Sequence, residues 1–149
     1  MRAVVMRVKE ARVTIDGEIV AELASGLLVY LGVKKTDSPK DLEYLLDKVI
    51  NLRIFKDAEG KMNLSLRESG GGIMVVSQFT LYGDARKGRR PSYSEAASPL
   101  KAAALYEEFI AGLKKSGFNV VSGRFQAMME VFSINDGPVT ILLDSEKVF

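Results

Sequence analysis

Three hydrogen-bonding side chains, Ser77, Gln78 and Thr80, follow directly on an uninterrupted apolar run, Ile73-Met74-Val75-Val76. That run, introduced by Gly70-Gly71-Gly72, predicts a strand covered on both faces, because such a strand loses the apolar/polar alternation. Polar groups delivered at its end must be satisfied by protein or by a ligand. Two readings stay open here: pairing with neighbouring backbone, or contact with a bound molecule. A second concentration lies at Asn135-Asp136-Gly137-Pro138-Val139-Thr140. Glycine frees the backbone and proline fixes φ and removes a donor, so this segment predicts a turn feeding a strand. Between the two, Arg86, Lys87, Arg89 and Arg90 crowd a glycine-containing loop. Guanidinium forks suit phosphate, so the loop reads either as a solvated surface or as an RNA or nucleotide contact.

The residues that are missing narrow the chemistry further. The chain has no histidine and no cysteine, which excludes a Ser-His-Asp triad, a thiol nucleophile, a disulfide and an ordinary zinc site. No side chain titrates near neutrality unless its surroundings perturb it. An enzyme built from these residues has three routes: a desolvated lysine or carboxylate as base, an oxygen-bound metal, or backbone dipoles acting on a substrate that is already reactive. Asp57-Ala58-Glu59-Gly60 resembles part of a calcium loop but lacks the later ligands, and so reads as a turn. No cofactor and no metal are expected.

The elements that must position these residues can be read from periodicity. With 149 residues, 47% hydrophobic and 27% charged, and a net charge of only +2, the chain suits one globular domain over residues 1–149. Residues 2–15 alternate, with Val4, Met6 and Val8 on one side and Arg7 and Lys9 on the other. Asp16-Gly17 then predicts a turn that sends Ile19, Ala21 and Leu23 back antiparallel. Leu27 to Val33 is a further strand. Ser38-Pro39 opens a helix with the stripe Leu42, Leu45, Leu46, Val49 and Ile50. Ser98-Pro99 opens a second, with Ala102, Leu105, Tyr106, Phe109, Ile110 and Leu113 on one face and Gly117 beyond its end. Val120-Val121, Met129 to Ile134 and Val139 to Leu143 read as strands, with Met128 and Met129 as core fillers. The expected fold is α/β: mixed or antiparallel sheets in a barrel-like or two-sheet arrangement, with two amphipathic helices packed on one face. Charges interrupt the first apolar segment at once, which predicts a cytoplasmic protein without a signal peptide or membrane span.

Ser77-Gln78-Phe79-Thr80-Leu81 and Asn135-Asp136-Gly137-Pro138-Val139-Thr140 resemble, in that order, the two signature motifs of the D-aminoacyl-tRNA deacylases. Arg53-Ile54-Phe55, Gly60-Lys61-Met62-Asn63, Arg90-Pro91-Ser92 and Gly123-Arg124-Phe125 fall in register with the same family. The resemblance implies a homodimeric hydrolase that releases D-amino acids, and glycine, from the 3′ ester of tRNA. It implies catalytic roles for Ser77, Gln78, Phe79 and Thr80 on a strand that floors the pocket. A cis peptide at Gly137-Pro138 would enter the neighbouring subunit's pocket and exclude an L side chain, with Val139, Thr140 and Met129 completing the substrate-binding set. Arg86, Lys87, Arg89 and Arg90 would contact tRNA. The partners expected are therefore D-aminoacyl- and glycyl-tRNA and a second copy of the chain, without DNA or membrane.

The resemblance implies two alternatives for the attacking chemistry, Thr80 as a nucleophile candidate or the ribose 2′-hydroxyl of the tRNA. A threonine hydroxyl is weak without a base, and an aminoacyl ester is already activated, so the chemistry of the chain favours the second. Gln126, where the family suggests a small residue, and the order Phe132-Ser133 depart from the pattern. Two other classes stay in view: a non-catalytic RNA-binding module resting on the basic loop, and a general esterase.

Overall fold

The alternating N-terminal segment forms β1 (Arg2–Ile15) in the computed structural model, which describes residues 1–149. β1 is the spine of the fold. β2 (Glu18–Leu23) returns antiparallel along its second half after the Asp16-Gly17 turn, and β3 (Gly26–Gly32) pairs antiparallel with its first half. After β3 come helix α1 (Pro39–Asn51), the small hairpin β4 (Phe55–Lys56) and β5 (Met62–Leu64), and a single helical turn, α2 (Leu66–Ser69). The chain re-enters the sheet as β6 (Gly72–Ser77), parallel to β3. Helix α3 (Pro99–Lys115) leads to β7 (Val120–Ser122), parallel to β6, and β8 (Glu130–Asp144) closes the chain against the whole length of β1. The sheet curls so that β2 approaches β6 and β7, giving a nearly barrel-shaped body.

Burial explains the two continuous apolar runs. On one face of β3 and β6, Leu27, Val29, Ile73 and Val75 pack with Leu42, Leu45 and Val49 of α1 and Leu105, Phe109 and Leu113 of α3. Leu28, Met74 and Val76 point the other way, into a second cluster with Val8, Val13, Ile15 and Leu23. Strands with a core on each side have no position left for a polar residue until they end. Gly26 is needed where β3 starts beside β6: at its φ of +143° a Cβ would stand 1.9 Å from the carbonyl oxygen of Gly72. The cap of α1 differs slightly from expectation. The Asp41 carboxylate accepts both the amide and the hydroxyl of Ser38 at 2.8 Å, so the acid caps the serine. The Asp57 carboxylate accepts the amides of Glu59 and Lys61 at 2.9 and 3.0 Å, which makes that segment a turn.

Four expectations are corrected. The strand carrying Ser77 stops there; Phe79–Tyr82 is a 3-10 turn, because backbone pairing with β3 ends where Gln78 donates to the Leu31 carbonyl at 2.8 Å. Residues 130–144 form one strand with an internal bulge where the sequence predicts a turn between two strands, since β1 is long enough to pair with both halves. Arg7 is not on a solvent face: it is 3% exposed, in phase with buried Ala3 and Val5. Met128 is no core filler, being 91% exposed on the loop before β8.

Candidate active site

A groove of about 640 Å³ opens at the carboxyl end of β6, floored by Ser77, Gln78, Phe79 and Thr80. Ala102 and Tyr106 of α3 supply one wall, and the loop from Phe125 to Met129 supplies the other. Its lining is mainly apolar, with Ser77, Gln78 and Thr80 on the floor and Gln126 on the wall as polar groups, as suits a site that must fix the orientation of a small ligand. Tyr106 is not one of those free groups. Its hydroxyl donates to the Val75 carbonyl at 2.9 Å, and burial pushes the phenol up to about 12.

The 3-10 turn decides what the floor offers. Within it the Leu81 amide donates to the Gln78 carbonyl at 3.3 Å and the Gly83 amide to the Thr80 carbonyl at 2.9 Å. The amides of Phe79 and Thr80 open the turn and take no acceptor within the chain, which leaves two unpaired donors at the end of β6. The Gln78 side-chain amide donates to the Thr80 hydroxyl. Within the chain no carboxylate or amine bonds that hydroxyl. The arrangement can hold a polarised carbonyl oxygen on the backbone and orient a hydroxyl, water or ester beside it.

The second motif sits elsewhere. Between the pairs Met6–Thr140 and Val8–Asn135, β8 places Asp136, Gly137, Pro138 and Val139 opposite the single residue Arg7. The result is an exposed bulge with a cis peptide at Gly137-Pro138 and a φ of +125° at Gly137. Asn135 clamps its base, accepting the Val139 amide at 3.1 Å and donating to Thr140 Oγ1 at 2.8 Å. Arg7 braces it from below: Nε lies 2.9 Å from Asp136 Oδ2, an ion pair without hydrogen-bond alignment, while another guanidinium nitrogen donates to the Ile54 carbonyl. Within one chain Gly137 and Pro138 do not line the groove, whereas Met129 does. Arg7 was missed at the level of sequence. The available signal was its position two residues after Val5 in the buried phase of β1.

The basic residues lie where expected, on the exposed loop after the 3-10 turn. Arg86 is committed to Asp84, whose carboxylate it grips at 2.9 and 2.7 Å and holds well below the usual range. Lys87, Arg89 and Arg90 have no acidic partner. Of the two departures, Gln126 lines the groove with a φ of +61°, and Phe132 is exposed on β8 beneath the Arg12 guanidinium, 5.0 Å from the ring centroid.

A family model described as D-Tyr-tRNA(Tyr) deacylase matches residues 4–144. The chain is 59% identical over 149 residues to the D-aminoacyl-tRNA deacylase of Syntrophobacter fumaroxidans and 57% identical over 149 residues to that of Alkaliphilus metalliredigens, with full coverage of both chains in each case. Among solved structures, the c-Myc DNA Unwinding Element Binding Protein superposes with a TM-score of 0.92 at 38% identity, covering 97% of this chain and 98% of that one. A probable eukaryotic D-amino acid tRNA deacylase shares the fold, with a TM-score of 0.79 at 20% identity over 96% of this chain and 98% of that chain. With a family match spanning nearly the whole chain and relatives aligned end to end, this protein belongs to the D-Tyr-tRNA(Tyr) deacylase family.

Proposed function

We propose that the protein hydrolyses the ester linking a D-aminoacyl group, or glycine, to the 3′ end of tRNA, and that it does so as a cytoplasmic homodimer. The observation that carries this reading is the groove floor, where the unpaired amides of Phe79 and Thr80 stand beside a hydroxyl that no carboxylate or amine of the chain bonds. The full-length relatives named D-aminoacyl-tRNA deacylase support the same substrate.

In this mechanism the ester carbonyl oxygen rests on the two amides, and charge developing on it in the tetrahedral intermediate strengthens those contacts. One such donor is worth on the order of 10² to 10³ in rate. Thr80, oriented by Gln78, positions the substrate, and the neighbouring ribose 2′-hydroxyl directs the attacking water. Chirality is set by exclusion. The Gly137-Pro138 bulge of one subunit enters the groove of the other, facing the amino group with its carbonyls and leaving no space for an L side chain. Val139 and Thr140 support that bulge, Met129 borders the side-chain pocket, and Lys87, Arg89 and Arg90 hold the phosphates of the acceptor end.

The test is hydrolysis of matched D- and L-tyrosyl-tRNA by wild type and by Pro138→Ala. The proposal requires wild type to cleave only the D ester and the variant to lose either activity or discrimination. If neither ester is cleaved while tRNA still binds, the protein is a nucleic-acid-binding module, the alternative that the exposed basic loop favours. Thr80→Ala should slow turnover, and a covalent aminoacyl-Thr80 adduct in mass spectrometry would overturn its positioning role.

A further inference from the structure

Phe79 of the groove floor and Tyr93 are both exposed and touch each other, unlike the isolated exposed rings of Phe132 and Phe149. Phe79 and Tyr93 meet edge to face, with centroids 5.1 Å apart and planes inclined by 68°, yet they remain 57% and 40% exposed. Phe79 borders the groove; Tyr93 lies beyond it. Both are held firmly. Phe79 belongs to the 3-10 turn, and the Tyr93 carbonyl accepts the Ala96 amide at 3.0 Å. Tyr93 also packs on backbone, since a Cβ at Gly83 would stand 3.1 Å from its ring.

The pair is tied to the basic loop. Asp84 and Ser92 exchange two backbone hydrogen bonds, of 2.8 and 2.9 Å, which close the loop that carries Lys87, Arg89 and Arg90 at the residue preceding Tyr93. Open aromatic surface next to unneutralised cations is the combination that binds a single strand: bases stack on the rings while the backbone follows the charge. A protein partner would more often meet a larger apolar patch than two rings rimmed by cations.

We infer that Phe79 and Tyr93 form a stacking platform for the unpaired nucleotides that precede the esterified one, so that the single-stranded end of the RNA leaves the groove across Tyr93 towards the basic loop. The inference rests on the deacylase reading and extends it. The groove takes the aminoacyl nucleoside; the platform takes the base before it. Tyr93 thus contributes to RNA affinity and not to the chemistry of the ester.

Two substrates separate these roles: D-tyrosyl-tRNA, and D-tyrosyl-adenosine, which has no preceding nucleotide. Tyr93→Ala should raise KM for the tRNA ester on the order of tenfold, the scale of removing one base stack, with kcat and the salt dependence of KM preserved. The same variant should turn over the adenosine ester as wild type does, and Tyr93→Phe should restore the tRNA substrate. Equal loss on both esters, a changed salt slope or an altered oligomeric state would overturn the platform. Its failure is distinguishable from that of the deacylase reading. Uncharged tRNA carrying 2-aminopurine as the penultimate 3′ nucleotide reports stacking without turnover: wild type should quench it at saturation and Tyr93→Ala should not. Should wild type cleave neither ester, that quench still decides the platform, and its absence from wild type refutes it.

Discussion

Arg7→Met removes the one buried guanidinium under the Gly137-Pro138 bulge while keeping an apolar stem of similar length. Arg7 is 3% exposed, so the Ile54 carbonyl it bonds is sealed from water and loses its partner outright. An orphaned buried acceptor costs about 1 to 3 kcal/mol. The ion pair adds less, because the Asp136 side chain is 36% exposed and rehydrates when released; a pair so screened is worth about 0 to 1 kcal/mol. Relief from burying a charge offsets part of both. The net expectation is about 1 to 3 kcal/mol, and for a chain of this size each kcal/mol lowers the melting temperature by about 2 to 4 °C. Asp136→Asn retains an oxygen near Nε and should cost under about 1 kcal/mol. Scanning calorimetry and urea denaturation on the two single variants and the double variant measure these values and their coupling. In the same variants, D/L discrimination should fall further in Arg7→Met than in Asp136→Asn, since only the first removes the brace. Arg7→Met with wild-type stability, or Asp136→Asn more damaging than Arg7→Met, would show that the bulge is not held from below.

Three other outcomes follow from the geometry. Tyr106→Phe removes one of two donors on the Val75 carbonyl, the Gly123 amide at 3.1 Å remaining, so urea denaturation should show about 1 kcal/mol of destabilisation; because burial holds the phenol up to about 12, activity below pH 10 should keep its wild-type pH profile. At Asp41 burial raises the carboxyl, but the nearby Ser145 hydroxyl and the hydrogen bonds from the Ser38 hydroxyl and amide outweigh it and the net shift is downward. Its contribution is therefore present above about pH 4 and lost as pH falls through the lower folded value, so Asp41→Asn should cost about 1 kcal/mol at pH 7 and its stability curve should start to approach wild type only as pH falls below about 4; a gap that stays constant down to pH 2 refutes the assignment. Replacing Arg89 and Arg90 by Ala should weaken tRNA binding and flatten log K against log salt by about 0.7 to 0.9 for each phosphate the loop no longer neutralises, whereas an unchanged slope removes the loop from the interface.

The parts of this fold legible in the sequence are those where one physical demand acts on consecutive residues. Leu27 to Val33 and Ile73 to Val76 are apolar because two cores meet on β3 and β6, and the helix stripes recur because α1 and α3 each cover one face. Asp16-Gly17 marks its hairpin for the same local reason: the turn itself needs positive φ, 51° and 82°. Two motifs singled out Ser77 to Thr80, which line the groove, and Gly137-Pro138, which within one chain lie outside it.

What was not legible depended on residues distant in the chain. Whether β6 continued through Thr80 was decided by β3, whose pairing runs out at Leu31, and nothing in Gln78-Phe79-Thr80 itself announces a 3-10 turn. Asn135 to Thr140 carries turn residues, and it becomes a bulge inside a strand because β1 spans both flanks and offers only Arg7 across the gap. Arg7 in turn reads as a surface cation by type and is buried because that bulge brings Asp136, and the loop after α1 brings the Ile54 carbonyl. The two misreadings, of the bulge and of Arg7, share one cause: each assigns to local sequence a conformation that the Arg7–Asp136 contact creates. A polar residue in the core phase of a strand and a turn signal inside a strand-length segment are thus better read together, as two halves of one buried interaction.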